Sequence, residues 1–318
     1  VQAVPIRKED ATLHWLLDGD PAIRWQVMRD LLKSNKTLTQ KERDQIARSG
    51  WGQRLLAQQA DDGMWGGGLY SPKWISTTYT LLLLRRLGLP PPHPQVNKAC
   101  ALLLDKGCYG DGGINFSPTI NHSETCITGM VVSIVSYFRY RNPRIQQLIT
   151  HLLQQQMLDG GWNCQSYRGA THSSVHTTIS VLEGLREYQL SSTDRANSNE
   201  RIIEAQAKGR EFLLAHRLFR SHRTGKIFDP KITRFSFPPR WRYDILRALD
   251  YFQACDATYD NRMNDALQII ANKRTADGRW LLQQRYPGRT FFEMEQVGEP
   301  SRWNTLRALR ILQKYPAP

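Results

Sequence analysis

The chain has no apolar run approaching the roughly 20 residues that a membrane-spanning helix requires. Cysteine is scarce as well. Five in 318 residues, Cys100, Cys108, Cys126, Cys164 and Cys255, are too scattered for a disulfide framework, which points to a reducing, cytoplasmic setting. The opening VQAVPIRKED lacks the apolar stretch of a signal peptide. Acidic residues are outnumbered, 29 against 43 Lys and Arg, and the formal charge of +14 favours an anionic ligand or surface. Nucleic acid is not the expected partner, because helix-turn-helix, zinc-finger and RNA-binding signatures are missing. Strand signals are nearly absent too, so the 40% of residues that are hydrophobic must be buried by helices.

What recurs is a turn. Asp62-Gly63-Met64-Trp65, Asp159-Gly160-Gly161-Trp162 and Asp277-Gly278-Arg279-Trp280 share the pattern Asp-Gly-x-Trp, and Asp111-Gly112-Gly113-Ile114 is a copy without the Trp. Asp62, Asp111 and Asp159 lie about 50 residues apart, and the longer gap before Asp277 leaves room for a worn copy at 225–230 (GKIFDP). Periods of this size mark stacked helical pairs. Between the turns, segments with apolar residues at helical spacing alternate with more polar helical segments. The first kind, at 23–32, 74–87, 124–138, 173–188, 241–252 and 302–312, is expected to face inward. The second kind, at 41–59, 94–105, 143–156, 200–217 and 261–273, is expected to form an outer layer, and the polar stretch 191–200 reads as a long loop. About eleven helices in two layers predict an all-α fold, an α/α toroid closing residues 1–318 into one monomeric domain.

Four inner segments begin with Pro, a cation and Trp: Arg24-Trp25, Lys73-Trp74, Arg240-Trp241 and Arg302-Trp303. Pro suits a first helical turn, whereas a cation there opposes the helix dipole. Such cations gathered at one mouth suggest an anion site, with stacking on the adjacent Trp as the alternative. Trp25, Trp74, Trp241, Trp303 and Tyr243 are expected to line the cavity. Further basic residues cluster at 216–223 (HRLFRSHR), at a helix end where the dipole also favours them. Asp244, three residues after Trp241, is a candidate acid or base and equally a candidate for pairing with Arg247 or Arg240.

Two inner segments depart from the cation-Trp pattern. Aligning Thr128 with Thr178 sets His122 opposite His172 and Cys126 opposite His176, and each segment carries its pair at i, i+4 on one helical face. Cys164, in the intervening turn, approaches from the rim. Thiolate, imidazole and the Glu124 carboxylate suit Zn²⁺, although Cys and His of a helical protein also serve as packing and capping groups.

Turns preceded by Gln, as in Gln59 to Trp65 and Gln156 to Trp162, resemble the QW repeats of squalene/hopene cyclases and protein prenyltransferase β subunits. The resemblance implies an α/α toroid with an isoprenoid in its central cavity. The run from His176 to Leu185 looks like the prenyltransferase segment that supplies a zinc histidine, and Glu124-Thr125-Cys126 stands where that family has an acidic-x-Cys ligand pair. By that similarity Glu124, Cys126 and His176 are the metal ligands, with Cys164, His122 and His172 as alternatives. The chain departs by having Glu in place of the family's Asp, and it lacks the Asp-x-Asp-Asp motif of class II cyclases. The chain also looks like bacterial proteins loosely labelled squalene-cyclase-like.

The function expected from these features is a zinc-dependent enzyme acting on an amphipathic anion such as an isoprenoid diphosphate. Lys73, Arg240 and Arg302 would hold the anion, Trp74, Trp241, Tyr243 and Trp303 the apolar body, and His172 and Asp244 are the candidate catalytic groups. Two alternatives stand beside it. One is a binding scaffold without chemistry for a small ligand or protein; the other is a metal-free terpene cyclase-like enzyme with Asp244 as its acid.

Overall fold

Short polar caps set many of the helix starts. Asp10, Asp20, Asn35, Asp244 and Ser301 each accept a hydrogen bond from a backbone amide in the following turn. The computed structural model describes residues 10–192 and 198–317. Thirteen α-helices occur among the described residues. In chain order they are α1 (Ala11–Leu17), α2 (Pro21–Gln26), α3 (Lys36–Asp44), α4 (Gly50–Leu56), α5 (Thr77–Leu87), α6 (Pro94–Gly107) and α7 (Thr125–Tyr137). There follow α8 (Arg144–Gln154), α9 (Val175–Ser191), α10 (Ser198–Ala215), α11 (Ile245–Ala254), α12 (Asn264–Asn272) and α13 (Arg302–Lys314).

The fold is an α/α toroid. Its inner ring is α2, α5, α7, α9, α11 and α13. Inner helices are buried nearly all round, as in α5 and α7, whereas the outer α3 buries only Thr39. The ring closes through specific contacts. Trp25 Nε1 donates to Leu87 O (2.8 Å) between α2 and α5, and α5 packs on α7. Between α7 and α9 the backbones nearly touch: a Cβ on Gly184 would stand 2.5 Å from Gly129 O. Arg247 bridges α11 to Glu183 on α9, and Arg310 of α13 reaches Asp250 on α11 and Asp30 beyond α2.

Each turn ties an outer helix to the next inner one. Gly63, Gly112, Gly160 and Gly278 all have φ between +82° and +90°, the left-handed region that favours glycine. Trp65, Trp162 and Trp280 are wholly buried, and each indole N–H donates at 2.7 Å to a carbonyl of the preceding outer helix, Leu55, Leu152 or Ile270. The same residues donate their backbone amides to Thr77, Thr178 and Thr305 Oγ1 on the following inner helix, and Ile114 does so to Thr128. Gln59 and Gln156 add bonds from their amides to the turn glycine's carbonyl and to the next outer helix.

Several expectations change. An additional helix, α1, precedes the first inner one, and the outer segment expected over 41–59 divides into α3 and α4 where Gly50 adopts φ +68°. α5 and α11 begin at Thr77 and Ile245, so Lys73 and Arg240 precede the helices and do not sit in their first turns. Their opposition to a helix dipole therefore falls away. The worn copy at 225–230 keeps a turn, with Gly225 at φ +67°, but Ile227 and Phe228 are 42% and 39% exposed where the Trp copies are buried. Residues 198–200, expected to end a loop, already belong to α10. The rest of that loop at 193–197, like most of the opening decapeptide, lies outside the described residues. No helix among the described residues is long and apolar enough to cross a membrane.

Trp162→Phe should keep the ring but leave Leu152 O unpaired, at a cost of about 1–3 kcal/mol in urea unfolding. Ile227→Ala at the exposed copy should stay within about 0.5 kcal/mol. Equal costs would show that the indole bond is not what anchors the repeats.

Candidate functional site

Before α5 and α11 the chain runs in irregular loops, and these loops bring cations and aromatic rings together at one mouth of the ring. The exposed Lys73 ammonium lies 5.1 Å from the Tyr70 ring, 5.9 Å from Trp74 and 6.0 Å from Trp241. Arg240 faces the Trp74 ring at 5.4 Å. It has φ +57°, a conformation costing a non-glycine residue about 1–2 kcal/mol. Its guanidinium has no hydrogen-bond or carboxylate partner among the described residues, and burial lowers its pKa to about 10. Arg242 stacks on Trp241 at 4.4 Å. Segment 283–297 crosses this mouth: Trp74 N–H donates to Arg289 O, and its indole N–H is directed at the carbonyls of Tyr286 and Pro287.

Beside Lys73 opens a groove of about 720 Å³, lined in part by Tyr70, Lys106, Phe116 and Glu124. On the other side of Trp74, the space next to Arg240 is only about 40 Å³. The ring's centre is closed by aromatic packing. Phe237 stacks on Trp303 with centroids 4.3 Å apart, and Trp51 lies on Trp303 at 6.3 Å. Trp25, Trp74, Tyr243 and Trp303, expected to line an open cavity, are buried, although Trp25 and Trp303 border a space on one side of Phe237 and Trp74 the small one on the other, while Trp241 stays partly exposed. Arg302 turns away to stack on Trp15 and donate to its carbonyl, so it does not join Lys73 and Arg240.

The expected metal ligands are only partly assembled. The neighbouring Cys164 thiol, with burial, raises the Cys126 thiol well above its usual pKa. In turn Cys126, helped by Thr177, holds Cys164 below its usual value. Glu124 is half-buried, and its pKa is raised by burial against the opposing pull of Lys73 and His122. His176 faces elsewhere. Its Nδ1 accepts from Tyr243 N–H at 2.9 Å, and burial together with the Arg242 and Arg247 charges lowers its pKa to about 4. The neutral ring therefore carries its proton on Nε2, leaving no free lone pair for a metal. Among the described residues no group of three or more His, Cys, Asp or Glu side chains is placed to hold a metal ion. The set Glu124, Cys126 and His176 thus does not fit zinc in this arrangement.

Of the alternatives, Cys164 lies against Cys126, His122 packs on Tyr167, and the exposed His172 lines a pocket of about 780 Å³ together with His176, His216 and His222. Asp244 is completely buried, caps α11 through Arg247 N–H, accepts from Ser236 Oγ and lies 3.9 Å from Arg307. Burial raises its pKa, and its carboxylate is engaged by the α11 cap and by Ser236. Sequence reasoning missed the Tyr70 and Tyr79 hydroxyl pair (2.9 Å), which stands within electrostatic reach of Cys126 and, through Tyr79, of Arg240. The threonine register of the turns offered a signal, since Tyr79 stands two residues after Thr77.

No family model matches the chain, and no curated protein matches it. Solved structures do. A glycosyl hydrolase of family 88 from Bacteroides vulgatus shares 12% identity at a TM-score of 0.51, covering 99% of this chain and 92% of its own. A polysaccharide lyase gives 11% identity and a TM-score of 0.48, over 92% of this chain and 88% of that one. The type II terpene cyclase MstE from Scytonema gives 14% and 0.45, over 93% and 88%. At these identities the likeness concerns the fold alone.

The thiol pair gives the site a testable asymmetry. Iodoacetamide should alkylate Cys164 ahead of Cys126, with the pH midpoint of the Cys164 rate below the ordinary thiol value of about 8.5. In Cys126→Ala that midpoint should move up, as read by peptide mass spectrometry across pH. An unmoved midpoint would mean that Cys126 does not hold the Cys164 thiolate.

Proposed function

We propose that this toroid binds an amphipathic anion at the mouth beside Lys73, and that an isoprenoid diphosphate is the ligand class. One observation carries the reading: Lys73 and Arg240 face the Trp74 ring, and among the described residues neither side chain has an ion-pair or hydrogen-bond partner. A largely buried guanidinium without an acceptor is costly, and an anion that reaches it gains a charge-assisted bond of about 1.5–3 kcal/mol. The 720 Å³ groove lies within the usual size range of small-molecule pockets, and Tyr70 and Phe116 supply apolar wall for a hydrocarbon body. The QW-type turns favour an isoprenoid over other amphipathic anions. Binding without chemistry is the second reading, favoured by the Phe237 and Trp303 packing that fills the ring where a catalytic cavity would lie. Zinc has no role in either reading, and the buried Asp244 is a helix cap in both.

Farnesyl diphosphate should quench tryptophan fluorescence saturably, with farnesol weaker by about tenfold or more, or 1.4 kcal/mol. Lys73→Met and Arg240→Met should each weaken the diphosphate by a similar factor and leave farnesol unaffected. Equal affinity for alcohol and diphosphate, or wild-type affinity in both variants, would overturn the reading. Metal analysis of the same protein should find zinc well below one equivalent, unchanged by Cys126→Ala.

A further inference from the structure

Beyond the Phe237 and Trp303 packing, toward the opposite end of the inner helices, the ring holds a further, half-open space of about 340 Å³. Its lining is dominated by arginine. Arg85, Arg86, Arg247, Arg307 and Arg310 stand within the ring, and Arg29 and Arg186 stand toward the rim. Four carboxylates, Asp30, Glu183, Glu187 and Asp250, face the same space, which leaves three guanidinium charges in excess.

The pairing shows where the excess sits. Glu183 alone receives Arg85, Arg86 and Arg247 at 2.8–3.0 Å, so one carboxylate is shared by three cations and has no further capacity. Arg307 is 3% exposed, and its Nε and Nη2 are buried without a hydrogen-bond acceptor, although Asp250 and Asp244 lie 3.4 and 3.9 Å away. Arg85 Nε is buried and unpartnered as well. Burial lowers the Arg86 pKa to about 10, and Arg247, Arg85 and Arg307 push in the same direction against Glu183. Helix C-termini offer partial negative charge only within their last turn. Arg247, the third residue of α11, and Arg307, the sixth of α13, lie outside the last turn of their own helices. Guanidinium groups are planar forks suited to bidentate contact with oxyanions.

We propose that this cavity is a binding site for a small oxyanion carrying at least two negative charges, a phosphate or diphosphate group. Its volume is at the low end for ligand pockets, which suits such an ion and not a long hydrocarbon. The site is separate from the mouth at Lys73, because the aromatic packing at Phe237 and Trp303 lies between them.

The test is calorimetric titration of the full chain with inorganic diphosphate and with phosphate, paired with thermal unfolding. Diphosphate should bind one to one and raise the unfolding temperature, as a ligand of the folded state must. Arg86→Gln leaves Glu183 with Arg85 and Arg247, so it should fold while binding diphosphate about tenfold or more weakly. Without anion this variant should unfold no lower than the wild type, since it removes a charge from a cationic cluster. Arg144→Gln, which removes an exposed cation outside the ring, should bind as the wild type does. The proposal is overturned by an absence of saturable binding at millimolar diphosphate, or by wild-type affinity in Arg86→Gln. It is also overturned if affinity is lost in Arg240→Met and kept in Arg86→Gln, which would move the anion to the mouth.

Discussion

The hydrogen bonds of one buried residue per repeat organise the ring. In three repeats a Trp donates its indole N–H to the outer helix behind it and its backbone amide to a threonine on the inner helix ahead. Both donors are buried, so each bond also spares the cost of an unmet polar group, about 1–3 kcal/mol. Two fixed points per turn determine how far an inner helix slides relative to its outer partner. In the Ile114 repeat only the amide bond remains, and burial of the isoleucine side chain replaces the indole anchor.

That constraint explains what was legible in the sequence. The Asp-Gly-x-Trp turns carry the register in their spacing, so the two layers and the positions of most helices could be read from it. Helix starts could not, because a Trp can precede a helix as readily as begin it. Lys73 and Arg240 were placed in first turns by their neighbouring Trp residues, and in the folded chain they stand on loops. The ligand set failed for a similar reason. Equivalence of Cys126 and His176 in the repeat says that their backbones correspond, but side-chain direction depends on neighbours, and Tyr243 N–H draws the imidazole toward α11.

The aromatic residues show the same limit. A ring of Trp and Tyr at inner-helix starts suggests a lined cavity only if nothing else enters it. Here Phe237 and segment 283–297 enter the ring from outside the repeat pattern, and Trp51 reaches it from the outer helix α4. Segments of that kind have no periodicity to announce them. Their effect is large, since Trp74 and Trp303 are buried among them and border only the spaces left on either side of Phe237.

The charge balance was readable in amount and not in place. A formal +14 suggests a cationic surface that attracts anions from solution. Part of the excess lies inside the ring, where the dielectric is lower and seven guanidinium groups share four lining carboxylates. A fold held by helix packing and turn anchors alone has no need of arginines crowded around Glu183, and apolar residues of similar size would avoid the cost. The cluster therefore works against stability, and a bound anion that offset this cost would also draw the ends of α5, α9, α11 and α13 onto one ligand.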